Sequence, residues 1–139
     1  MALETIEIKA FVPAKDFELS KRFYTDLGFI VASSSDGVAY LKAGGCSFLL
    51  QDFYEPTLAD NFMMHLLVPD VDAWWRQVQE RDLAGRYGVR AAPPQDRPWG
   101  MRDFTLPDPS GVPWRIAERS EERRVGPARQ APWSPAPEH

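Results

Sequence analysis

The sequence predicts an α+β fold made of two modules with the same order: a strand, a helix and three strands. Three observations carry that expectation. Short segments rich in β-branched and aromatic residues flank two amphipathic stretches, each of which starts at an aspartate. Glycine- and aspartate-rich punctuation separates the strands. The whole order recurs after about 55 residues, without obvious residue identity between the halves. At 139 residues the chain has the size of one domain.

The first strand is expected over 5-TIEIKAFVP-13, which alternates and is closed by Pro13. A helix follows, N-capped by Asp16, whose carboxylate accepts from the unpaired amides of the first turn. Leu19, Phe23 and Leu27 recur at spacing four and Gly28 stops the helix. Strands are then expected at 29–34, 37–43 and 46–52, with Ser-Asp-Gly and Gly-Gly between them as hairpin turns. The second module reads as a strand at 62–68 and a helix capped by Asp70, with Val71, Trp74, Trp75 and Val78 on its apolar side. Three strands near 88–91, 101–107 and 112–118 complete it. The proline-rich run 92–100 reads as a loop of the kind that rims a site. The domain is expected to span 1–118, with modules at about 5–52 and 62–118. Residues 119–139, with four prolines and many charges, read as a polar tail whose one anchor is Trp133.

Composition narrows the function classes. A net charge of −4 and a pI near 5.2 leave no basic stripe to displace counterions, so nucleic acid is not an expected partner. No apolar run approaches the roughly 18 residues needed to cross a bilayer, and no membrane partner is expected. The single cysteine, Cys46, excludes an intrachain disulfide and has no basic neighbour to activate it. With no leader-like segment at the start, the expected location is cytoplasmic. Aromatic residues make up 12% of the chain, enough for some rings to line a ligand cleft.

Several short patterns combine in a fixed order. Asp16, Ser20, Phe23-Tyr24 and Leu27-Gly28-Phe29 mark the first helix, and Val68-x-Asp70-Val71 enters the second. Gly100-x-Arg102-x-Phe104 then precedes Asp108-Pro109-x-Gly111. Together, over about residues 5–118, they resemble the vicinal oxygen chelate superfamily, which includes glyoxalase I, extradiol dioxygenases, fosfomycin resistance enzymes and bleomycin resistance proteins. The resemblance implies a curled mixed sheet around a cleft, with clefts completed in a homodimer. Metal-dependent members place His or Glu on the first and last strands of each module. Carried over by position, those places fall on Lys9, seven residues before Asp16, and on Met63, seven before Asp70. The place usually held by Glu falls on Arg115, seven after Asp108, and the fourth falls on Leu49 or Gln51. A guanidinium stays protonated and offers no lone pair, so Arg115 cannot ligate. Two fixed cations would each oppose a divalent ion by several kcal/mol even at an effective dielectric of about 20. No metal and no other cofactor is expected; a register error would bring in Glu7 or His65 as one ligand at most.

The candidate site residues follow from strand parity and from the resemblance. His65 lies two residues from Met63 and shares its face, as the candidate acid–base group or as a buried, hydrogen-bonded imidazole. Lys9 and Arg115 are expected to face one another across the cleft and suit a carboxylate or phosphate, or else to be neutralised by acidic groups at the rim. Trp99 is placed to stack on a planar ligand, Phe11 and Met63 to form the apolar wall, and Phe53 and Tyr54 to stand at the mouth. Trp114 has the opposite parity to Arg115 and belongs in the core. The function implied is a metal-independent small-molecule binding protein of the glyoxalase/bleomycin resistance type, sequestering an antibiotic or metabolite. The alternative is a glyoxalase-like lyase or isomerase in which His65 is catalytic and Lys9 with Arg115 stabilises an enolate.

Overall fold

The computed structural model describes residues 3–120. Helix α1 (Phe17–Leu27) starts where predicted: Asp16 is extended and its Oδ1 accepts from Leu19 N at 3.1 Å. It ends at Gly28, whose φ of 135° no residue with a Cβ adopts readily. Ser20, Phe23, Tyr24 and Leu27 form its buried stripe. Around it lie β1 (Phe11–Pro13), β2 (Ile30–Ser35), β3 (Val38–Ala43) and β4 (Cys46–Gln51), in the order β1-β4-β3-β2. After a short helix α2 (Pro56–Asp60), the second module supplies β5 (Met64–Leu67), α3 (Val71–Glu80), α4 (Leu83–Tyr87), β6 (Gln95–Arg97), β7 (Met101–Pro107) and β8 (Pro113–Arg119). Its strands take the matching order β5-β8-β7-β6. In each sheet the first strand pairs parallel with the last and the others pair antiparallel, so the duplication is visible in the pairing pattern.

One aromatic layer joins the two sheets. The Tyr24 ring meets Phe48 of the first sheet at 5.0 Å and Trp114 of the second at 5.4 Å, and Phe48 meets Trp114 directly at 5.2 Å. Edge-on pairs of this kind add about 0.5–1.5 kcal/mol each beyond burial. Trp114 is in the core, as its parity requires. Trp74 packs against Phe29 and Trp75 against Phe104, so the adjacent tryptophans serve different neighbours. Helix α3 is tied to its sheet at its start. Asp70 accepts from Ala73 N, the buried Glu118 accepts from Val71 N at 2.7 Å, and Arg102 forks onto Asp72.

Four expectations are corrected. The first strand covers only Phe11–Pro13, not 5–13. Its register places Phe11 beside Leu49, so residues before Ile8 run past Cys46, where β4 begins, and among the described residues meet no neighbouring strand. No strand forms at 88–91; α4 ends at Gly88 and the second strand of the module is β6, inside the run read as a loop. Gln95, Asp96 and Arg97 carry no hydrophobic alternation, and their place is set by pairing with β7. The five-residue helices α2 and α4 are too short for periodicity to reveal; Glu55 before Pro56 accepts from Thr57 N, and Asp82 accepts from Gly85 N. Strand β8 ends at Arg119, one residue beyond the expected boundary; Trp133 and most of the tail lie outside the described residues.

Candidate functional site

Strand parity gives each sheet two faces. Val12, Ala39, Leu41, Phe48 and Leu50 of the first sheet, and Leu66, Phe104, Leu106, Trp114 and Ile116 of the second, are buried against the shared layer. The opposite parity leaves two outer faces turned away from it. On the first sheet this face carries Phe11, Tyr40 and Leu49, which are cross-strand neighbours. On the second it carries His65, Arg115 and Thr105 in one row and Leu67, Ala117, Asp103 and Gln95 in the next.

The second face has a fixed electrostatic centre. Asp103 is 1% exposed, and each of its oxygens takes one guanidinium: Oδ1 from Arg97 Nε at 2.9 Å, Oδ2 from Arg115 Nη1 at 3.0 Å. Arg97 also donates to Gln95 Oε1 at 3.2 Å. A carboxylate without water requires such partners, because burying a lone charge costs far more than burying a paired one. Neither Arg97 nor Asp103 was selected from the sequence. The available signal was the parity of 101–107, where Asp103 shares the face of Thr105, opposite that of Phe104 and Leu106.

The predicted residues are distributed as follows. Lys9 contacts the Glu7 carboxylate and lies over the Tyr40 ring at 4.8 Å. Phe11, Met63 and Trp99 are partly open to solvent, and His65 is exposed on β5 beside Arg115. Within one chain Lys9 and Arg115 stand at different sheets, each with its own carboxylate, because the helices and the aromatic layer lie between. Phe53 is exposed and Tyr54 half-buried, the latter under the Lys15 ammonium at 5.6 Å. Two open grooves of about 560 and 400 Å³ run along α1, and none of the predicted residues lines either.

The residues at the expected ligand positions do not fit a divalent ion. Lys9 and Arg115 have no lone pair to give, Arg115 is committed to Asp103, and Met63 with Leu49 or Gln51 offers only weak donors. Among the described residues the one group of three candidate ligands is Asp70, Asp72 and Glu118, whose carboxylates hold the start of α3 and Arg102. No helix of the described residues is long and apolar enough to cross a membrane.

This topology, repeated in two modules whose outer faces turn away from the shared layer, defines a protein class. The chain belongs to the Glyoxalase/Bleomycin resistance protein/Dioxygenase superfamily, whose profile matches residues 7–116. Among solved structures it is similar to the bleomycin resistance determinant encoded on the transposon Tn5, at 24% identity and a TM-score of 0.69, over 83% of this chain and 98% of that one. TnmS3, an antibiotic binding protein from Streptomyces sp. CB03234, is 27% identical with a TM-score of 0.68, over 86% and 99%. The bleomycin-binding protein of Streptomyces verticillus, complexed with copper(II)-bleomycin, is 22% identical with a TM-score of 0.68, over 86% and 98%. No curated protein matches the sequence.

Proposed function

We propose that the protein is a metal-independent small-molecule binding protein of the bleomycin resistance type, acting as a cytoplasmic homodimer that sequesters an antibiotic or metabolite. The observation that carries this reading is the Arg97–Asp103–Arg115 cluster. Where metalloenzymes of the fold present a carboxylate to an ion, this chain presents a guanidinium locked to a buried aspartate, a group that orients ligands and cannot ligate metal. The likeness to TnmS3, an antibiotic binding protein, supports the same reading. The N-terminal arm supports the dimer: Ile6 and Ile8 are 99% and 94% exposed in the single chain, and a second copy is the natural cover for them.

In such a dimer the outer face of one chain's first sheet joins the outer face of the other's second sheet. A planar ligand then lies between Phe11, Tyr40 and Leu49 on one side and Met63, Leu67 and Trp99 on the other. Burying about 200 Å² of apolar surface contributes about 5 kcal/mol, short of the roughly 8 kcal/mol that micromolar binding requires. Directed contacts from Lys9, His65, Thr105 and Arg115 supply the remainder and set orientation.

The test is calorimetric titration of chelator-treated protein with bleomycin and a panel of planar antibiotics. Saturable binding at one ligand per chain supports the proposal. Binding that needs added Zn²⁺ or Mn²⁺, or turnover of a hemithioacetal that His65→Gln abolishes, overturns it in favour of an enzyme.

A further inference from the structure

We infer that the second sheet's outer face takes the anionic end of its ligand: a carboxylate or sulfonate borne on an apolar ring system. This assignment rests on the binding reading above and names the chemistry of that site. The chain as a whole carries −4, yet by strand parity this face brings together Arg97 and Arg115 with Asp103 as the acidic side chain between them. The local surplus of positive charge therefore runs against the field of the whole protein.

The geometry makes that surplus usable by a ligand. Asp103 is buried with both oxygens engaged by guanidiniums, so it is closed to a cationic ligand. One carboxylate divided between two guanidiniums leaves one unit of positive charge uncompensated within the cluster. Among the described residues Arg115 spends only Nη1, on Asp103, and its side chain is 33% exposed. Its Nε and Nη2 hydrogens remain as donors in a planar fork that matches a carboxylate or sulfonate edge. Because Asp103 already fixes the side chain, binding costs little further rotamer freedom. Thr105 and His65 stand opposite Arg115 on the two neighbouring strands, which puts a hydroxyl and an imidazole within a strand spacing of the same point. Met63 and Leu67, exposed beside them, give the ring system an apolar floor. A cationic ligand would meet the uncompensated charge without reaching Asp103. A neutral one would forgo the charge-assisted bond, about twice the strength of an ordinary one.

The test uses two fluorescent probes with the same ring system, 8-anilinonaphthalene-1-sulfonate and the uncharged N-phenyl-1-naphthylamine, titrated into the full chain. The expected result is one sulfonate probe per chain, bound about tenfold or more tightly than the neutral probe. That margin should shrink as NaCl rises from about 0.05 M to about 0.5 M. Arg115→Gln should abolish most of the margin by weakening the sulfonate probe far more than the neutral one. Thr105→Val, which leaves the Asp103 cluster whole, should weaken the sulfonate probe alone by a few-fold. If Arg115→Gln fails to fold, the salt dependence of the native chain and Thr105→Val decide. Equal affinity for the two probes, or sulfonate binding indifferent to salt and to both variants, overturns the anion assignment and leaves the binding reading standing. Binding of neither probe overturns both.

Discussion

Tyr24 of α1 donates its hydroxyl hydrogen to Asp108 Oδ2 at 2.5 Å, across the boundary between the two modules. Its oxygen accepts from Trp114 Nε1 at 2.8 Å, while Asp108 Oδ1 takes the amides of Ser110 and Val112 at 2.8 and 2.9 Å. Ser110 Oγ in turn accepts from Lys15 N, just before α1, and lies 3.5 Å from Ser20 Oγ. Gly111 closes the turn with a φ of 92°, a left-handed conformation that favours glycine. The Phe-Tyr and Asp-Pro-Ser-Gly motifs are thus two halves of one buried polar network that locks the modules together. Tyr24→Phe removes one donor from Asp108 and the acceptor of Trp114, so unfolding free energy should fall by about 2 kcal/mol. Urea denaturation checks this; a lower midpoint with an unchanged slope is expected.

The same network sets a pH dependence. Burial first, and then the neighbouring Asp108 carboxylate, pushes the Tyr24 phenol well above its usual pKa of 10.0. A folded pKa above the unfolded one means that the folded state holds its proton longer. The contribution is fully present below about pH 10 and is lost as pH rises from there through the folded value. The stability gap between the native chain and Tyr24→Phe should therefore be constant from pH 7 to 9 and narrow above about pH 10. Tyr87, raised by burial and Asp26, titrates in both proteins and cancels in the difference. A gap that widens in alkali would contradict the assignment.

Asp103→Asn keeps the shape of the side chain and removes the charge that Arg97 and Arg115 share. Removing one partner of a fully buried pair costs about 3–5 kcal/mol; here the guanidiniums reach solvent, so about 2 kcal/mol is expected. Thermal and urea unfolding check the value. A change within about 0.5 kcal/mol would show that the cluster adds nothing to stability.

Ile6→Glu with Ile8→Glu tests the homodimer. Both side chains are more than nine-tenths exposed in the single chain, so its own stability should move by no more than about 0.5 kcal/mol. Self-association, followed by sedimentation velocity across a concentration series, should weaken at least about tenfold. A native chain that sediments as a monomer, or a variant that dimerises equally well, would refute the proposed assembly.

Much of the fold could be read before the structure, for identifiable reasons. Asp16 and Asp70 cap helices whose apolar spacing is strong, and the hairpins of the first module have turn residues that need no tertiary help. What escaped reading depends on partners distant in sequence. Strand β6 is a polar edge strand defined by its neighbour, and residues 5–7 alternate like a strand but lie beyond the start of β4 and among the described residues have no strand beside them. The same holds at the site. Parity placed Arg115 opposite Trp114, but its partner Asp103 follows only from the register of β7 on β8. The resemblance directed attention to Lys9 and Arg115 as the occupants of the expected ligand positions. Their separation at two sheets of one chain was not legible, because it depends on how the modules pack.

Metal content is the most direct test of the central claim that these outer faces bind ligand without a divalent ion. The measurement is inductively coupled plasma mass spectrometry on protein purified without chelator, alongside His65→Gln and Arg115→Gln. The expected result is far less than one equivalent of Zn, Mn, Fe, Ni or Cu per chain, unchanged by either substitution. One equivalent of any of these metals per chain, lost on His65→Gln, would contradict it and return the protein to the metal-dependent members of its superfamily.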